Sequence, residues 1–130
     1  MLISRILPPI AWAGVIFVLS SIPGRRLPVP SFIPNFDKIA HLGVYALLGF
    51  LIFRAGKEEW VRRPSRFWIA AACLLGILYG ATDEWHQFFV PQRSCSFWDW
   101  ASDIVGIVLG VAFQLSRGRR LRFLSPTHHR

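Results

Sequence analysis

Asp37 and His41 stand four residues apart, as do Asp99 and Asp103. On an α-helix that spacing puts each pair on one face. Tyr45 follows His41 one turn further along the same face. In the run Asp83-Glu84-Trp85-His86-Gln87, helical phase gathers Asp83, His86 and Gln87 into one arc. Glu84 falls about 100° round from Asp83. Imidazole changes charge near neutral pH and suits proton transfer, with carboxylates as partners. Lys38 and Arg93 add cations that can hold a phosphate, Lys as a point charge and Arg through a planar fork. Read as chemistry, His41, His86, Glu84, Asp83 and Asp37 are candidates for acid–base work. Lys38, Arg93, Gln87, Tyr45, Asp99 and Asp103 are candidates for binding and orienting a substrate. His41, His86 and Glu84 are also candidate ligands for a divalent metal, Zn²⁺ or Mn²⁺, while carboxylates alone would suit Mg²⁺. No His-Glu-x-x-His spacing occurs and no hydrolase motif is spelled out, so metal and metal-free readings both stand. Simpler roles stand beside them. Asp37 and Asp99 suit helix N-termini, Arg93 suits a salt bridge to Asp83, Glu84 or Asp99, and the whole set could be a structural ion network.

These residues can meet only if the elements carrying them bring one end of each together. Of 130 residues, 53% are hydrophobic and only 17% charged, against about a quarter charged in a soluble domain. Uncharged runs cover Ile6–Gly24, Ile39–Phe53, Phe67–Thr82 and Ile104–Ser116. The first approaches the roughly 20 residues of a spanning helix, and the others reach it only by taking in their polar flanks. The expectation is a single all-α domain with four transmembrane helices, at about 6–23, 37–54, 66–87 and 99–116, then a basic tail at 117–130. Pro8 and Pro9 fit the first turn of the first helix. Prolines 23, 28, 30 and 34 forbid regular structure before Asn35, a plausible N-cap for the second.

Charge sets the orientation. The net charge of +8 is spread in short clusters between apolar runs, which argues for membrane topology and against nucleic acid. Residues 54–66 and 117–130 carry most of the Lys and Arg, and with four helices both lie on one side with Arg5. The positive-inside rule then puts both termini in the cytoplasm of a multi-pass inner or cytoplasmic membrane protein. Trp68 and Trp85, 17 positions apart, would be separated by about 26 Å along a helix, close to one hydrocarbon thickness. Trp85, Trp98 and Trp100 form an outer aromatic belt, Trp60 and Trp68 an inner one. On this topology the second helix starts, the third ends and the fourth starts at the same outer face, where five of the seven acids collect. Two stripes of small residues, Ala72-Gly76-Gly80 and Ser102-Gly106-Gly110, permit close helix approach beneath them. Asp103, more than a turn inside its helix, needs a partner in that setting. Cys73 and Cys95 are read as free thiols.

The motif Asp37-Lys38-x-x-His41-x-x-x-Tyr45-x-x-x-Gly49 resembles the first motif of the VanZ-like membrane protein family. Asp83-Glu84-x-His86-Gln87-x-Phe89-Val90-Pro91-x-Arg93-x-x-Ser96-x-x-Asp99 is similar to its second. Asp99-x-x-x-Asp103-x-x-Gly106-x-x-x-Gly110 is similar to its closing helix. The position of Asp103 is often Asn in the family, which implies a hydrogen-bonding role there. The resemblance implies an integral membrane protein, in a family named for a protein linked to teicoplanin resistance in Gram-positive bacteria. It brings no agreed biochemical activity with it.

Three functions fit the residues. The first is a hydrolase or transferase acting on the phosphate head group of a membrane lipid or cell-envelope intermediate. The second is a non-catalytic binder or accessory protein that recognises an envelope lipid or, as the resemblance suggests, a glycopeptide antibiotic. The third is a small transporter subunit, which the apolar inner halves of the helices disfavour, because transporters place their sites near the bilayer midplane.

Overall fold

Runs of apolar residues with no charge fold in lipid as helices, because only then does each backbone N–H find its carbonyl. The computed structural model, which describes residues 2–27, 30, 32–56 and 64–124, contains four such helices. They are α1 (Leu2–Ser20), α2 (Phe36–Ala55), α3 (Arg66–Phe88) and α4 (Phe97–Leu124). All four have a stretch long and apolar enough to cross a membrane.

The ends differ from expectation in physically informative ways. Helix α1 begins at Leu2, so Pro8 and Pro9 lie inside it rather than in its first turn, and neither has an N–H for the helical ladder. Helix α1 also stops at Ser20, after which Ser21 and Ile22 bond back to Phe17 and Leu19. The proline-rich connector admits one 3₁₀ turn at Gly24–Arg26. Asn35 does precede α2, but with φ 54° and without a side-chain cap bond, so it serves as a left-handed bend. Ser65 is the side-chain cap of α3, accepting from the Trp68 amide at 3.1 Å. Asp37 and Asp99 sit in the first turns of α2 and α4, where negative charge faces the positive end of the helix dipole.

The α2–α4 pair is the tightest in the bundle. A Cβ on Gly49 would stand 2.5 Å from the Ile107 carbonyl oxygen, and one on Gly110 2.8 Å from the Phe50 amide nitrogen. Gly106 likewise meets the backbone of Leu42 and Ala46. Here the backbones touch, which is what small residues achieve in lipid, where no hydrophobic force drives helices together. Ile107 fills the notch of Gly76, and Asp103 lies against Gly80. Ser102 falls outside this contact and bonds its own helix at the Trp98 carbonyl. Two small cores result, Ile16, Tyr45, Leu48 and Ile107 above Phe53, Ala72 and Val111.

Helix α1 attaches largely through polar hooks. Trp12 donates to the Val44 carbonyl at 2.9 Å and Tyr79 to the Ala13 carbonyl at 2.6 Å. Trp85 and Trp98 are exposed as belt residues should be. Trp100 turns its ring nitrogen to the Ile77 carbonyl, and Trp68 turns its own to Phe53. Trp60 and most of the basic connector lie outside the described residues. Cys73 is half-buried and Cys95 exposed, both free thiols.

Candidate functional site

The up-and-down order brings the end of α1, the start of α2, the end of α3 and the start of α4 to one end of the bundle. Two polar centres form there. In the first, His41 Nδ1 lies 2.8 Å from Asp103 Oδ1 and 3.9 Å from Glu84 Oε1. Asp103 is fully buried and Glu84 nearly so. Gly80 makes room for the Asp103 side chain, a direct use of the small-residue stripe. Glu84 Oε2 accepts from the Ser96 amide at 2.9 Å. Glu84 Oε1 and Asp103 Oδ2 are buried without a hydrogen-bond partner. Lys38 closes this centre on its exposed side, bridging Asp37 at 2.8 Å and Asp99 at 3.2 Å.

The second centre is Asp83. Its carboxylate accepts from Ser20 Oγ at 2.5 Å, from Tyr45 Oη at 2.9 Å and from Gln87 Nε2 at 3.3 Å. Three helices therefore converge on one acid, and each donor is buried. A carboxylate accepting several bonds is how an acid is tolerated inside a bundle.

Two sequence candidates land elsewhere. His86 stacks on Phe17 with ring centroids 4.7 Å apart and lies 3.0 Å from Ser21 Oγ, on the α1 flank and away from His41. Arg93 donates through Nη2 to the Leu19 carbonyl at 2.9 Å and through Nε to the Ile22 carbonyl at 3.2 Å. A guanidinium there adds a donor to the Leu19 carbonyl in the last turn of α1 and to the Ile22 carbonyl just beyond it, at the negative end of the helix dipole. Arg93 makes no ion pair with Asp83, Glu84 or Asp99 among the described contacts. The Gly24 amide, bonded to the Pro91 carbonyl at 3.3 Å, adds a second tie between these connectors. Arg93→Lys is expected to lose the two-carbonyl bridge and about 1 kcal/mol of stability. Thermal unfolding in detergent reads that loss, and Arg93→Ala should fall at least as far.

Between the two centres lies a cavity of about 390 Å³. Its polar lining comes from Ser20, Asp37, His41, Tyr45, Asp83, Gln87 and Arg93, its apolar lining from Ile16, Leu19, Leu27, Phe36, Ala40 and Val44. A VanZ/LLP1 family model matches residues 5–117. This chain belongs to the VanZ/LLP1 family. No curated protein and no solved structure gives a match. The VanZ match and four spanning-length helices make it a multi-pass membrane protein.

Among the described residues of this VanZ chain, one group has metal-ligand character: His41, Glu84 and Asp99 can each offer an atom within 4.8 Å of the others. Asp99 thus stands where helical phase alone had pointed to His86. Helix α1 was the larger omission. Ser20 and Ser21 looked like the fading end of an apolar run, yet Ser20 completes the Asp83 centre. Two serines adjoining a long apolar segment, at the end that holds every other polar group, were the available signal.

Proposed function

We propose that this VanZ protein binds the phosphate head group of a membrane lipid or cell-envelope intermediate in the cavity and promotes hydrolysis or transfer at it. The observation that carries the reading is His41, held by Asp103 at 2.8 Å while lining an amphipathic cavity. An imidazole with one nitrogen held by a buried carboxylate presents the other for proton transfer. The apolar wall from Ile16 to Val44 suits the first methylenes of a chain, and the polar lining suits the head group. Lys38 pairs with Asp37, which lines the cavity. The Lys38 side chain is 35% exposed.

A second reading, recognition without chemistry, is favoured by one specific feature: Arg93 and Asp83 are committed to protein partners. One assay separates the two. Purified protein in phosphatidylcholine nanodiscs is given short-chain lipids with phosphomonoester or diphosphate heads, and phosphate release and head-group exchange are followed by ³¹P NMR. Turnover that falls at least 100-fold in His41→Gln, with unchanged thermal stability, supports the catalytic reading. Saturable binding without turnover moves the assignment to a binder, and absence of both overturns the head-group reading.

In this proposal the polar end faces the outside of the cytoplasmic membrane and both termini the cytoplasm. The basic residues of 54–66 and 117–130 support that orientation. Cys95, exposed in the connector at the polar end, is a native reporter. An impermeant maleimide is expected to label it from outside intact spheroplasts. Labelling that requires lysis contradicts the orientation.

A further inference from the structure

We infer that the buried centre at His41, Glu84 and Asp99 is a divalent-cation site of Zn²⁺ or Mn²⁺ type. Geometry comes first. One nitrogen of His41 and one oxygen each of Glu84 and Asp99 lie within 4.8 Å of one another. Ligands about 2.1 Å from a tetrahedral ion stand roughly 3.4 Å apart. The 3.9 Å between His41 Nδ1 and Glu84 Oε1 is therefore close to a ligating separation. Small side-chain rotations would close the remainder. Asp103 Oδ1 stands 2.8 Å from the same His41 Nδ1, so a cation on that nitrogen would take the place of the proton the pair shares.

A second, independent observation points to a ligand. Glu84 is 4% exposed, its Oε2 is satisfied by the Ser96 amide, and its Oε1 has no hydrogen-bond partner. That orphan oxygen is the one facing His41. A buried acceptor left empty is destabilising, and an ion coordinated there removes that cost. Charge agrees with geometry. The Glu84 and Asp103 carboxyl groups both adjoin His41 while Lys38 pairs with Asp37 and Asp99, so a cation held here would be met by carboxyl oxygens. Nitrogen plus carboxylate oxygen is a ligand set for Zn²⁺ or Mn²⁺ rather than for Mg²⁺ or Ca²⁺.

The inference deepens the head-group reading and rests on it only for what the cation would meet. Of the three ligands only His41 lines the cavity, so a cation there would place positive charge behind the cavity wall at His41 and favour a phosphate. The cation and an imidazole proton are then alternative occupants of one site.

The test uses the full chain in detergent, stripped with chelator and dialysed, with Zn²⁺ or Mn²⁺ alone as probe and no lipid substrate. Isothermal titration is expected to show one ion per chain and a raised Tm. Glu84→Gln and Asp99→Asn should each weaken binding at least 10-fold. Ser102→Ala, whose hydroxyl bonds its own helix at the Trp98 carbonyl, should not. Lys38 competes for Asp99, so Lys38→Gln should tighten binding, a gain that a merely damaged fold cannot imitate. No saturable binding by the wild type overturns the site. So does binding that Glu84→Gln and Asp99→Asn leave unchanged, or that Lys38→Gln fails to tighten. Head-group binding that survives while ion binding fails removes this inference alone.

Discussion

Replacing Gly110 by leucine is expected to abolish the folded bundle. Its added Cβ would meet the Ala46 carbonyl of α2 well inside contact distance and the Phe50 amide at 2.8 Å. Both are backbone atoms of a facing helix, so no rotamer change relieves the clash. The α2–α4 seam must open, and it is the tightest contact in the molecule. Overpacking a well-packed core costs about 1–3 kcal/mol where side chains can yield. Here the cost should exceed that range, because α2 and α4 also carry His41, Lys38, Asp99 and Asp103. Gly14, where an added Cβ would meet nothing within 4 Å, is the control, and Gly14→Ala should be neutral or slightly stabilising through helix propensity. Yield of monodisperse protein and thermal unfolding distinguish the two variants. A Gly110→Leu protein that purifies and melts like wild type would refute the described α2–α4 packing.

The second large effect is Asp83→Leu. Ser20, Tyr45 and Gln87 would each lose an acceptor while staying buried. A single side-chain bond in a membrane bundle averages only about 0.6 kcal/mol. Orphaning a buried donor costs about 1–3 kcal/mol, and the lost acceptor is an acid. Three donors on three helices should together destabilise the protein by about 3 kcal/mol or more. Helix α1 should detach first, since Ser20 is one of its few ties to α3. Asp83→Asn keeps an acceptor oxygen and should lose less. Asp37→Leu, at an exposed acid, should stay within about 0.5 kcal/mol of wild type. Equal losses for Asp83→Leu and Asp37→Leu would show that the Asp83 centre does not hold α1.

How much of this was legible in the sequence depended on what each signal measures. Uncharged length measures a spanning helix, and it located all four. The i, i+4 spacings measure a shared face within one helix, and it is the up-and-down order of the helices that brings His41 and Asp103 to one end of the bundle. Spacing gives an angle on a helix but not the neighbour met at that angle. On α3, Asp83, His86 and Gln87 share an arc, yet α1 takes His86, while His41 of α2 and the Ser96 amide just before α4 meet Glu84 outside that arc. That is why the candidate metal ligands needed Asp99 in place of His86. Arg93 was read as a partner for charges, whereas backbone carbonyls at the end of α1 hold it. Carbonyls are present at every position and leave no mark in composition. Ser20 failed for a related reason, since a serine at the end of an apolar helix is commonplace until the acid facing it is known. The stripes of small residues were more informative. Gly80 and Gly106 read as packing positions and serve as such, and Gly80 additionally leaves space for Asp103.

The central claim is that the cavity between the His41 and Asp83 centres receives a lipid head group. The most direct measurement is photolabelling in nanodiscs with a phosphate lipid that carries a diazirine in its head group, mapped by mass spectrometry. The account predicts adducts on the Ile16–Ser20 and Ala40–Tyr45 segments, displaced by excess unlabelled lipid. They should be lost in Ala40→Trp, where an indole would occupy the cavity. Labelling confined to lipid-facing residues such as Leu74 and Leu78, unchanged by Ala40→Trp, would contradict it.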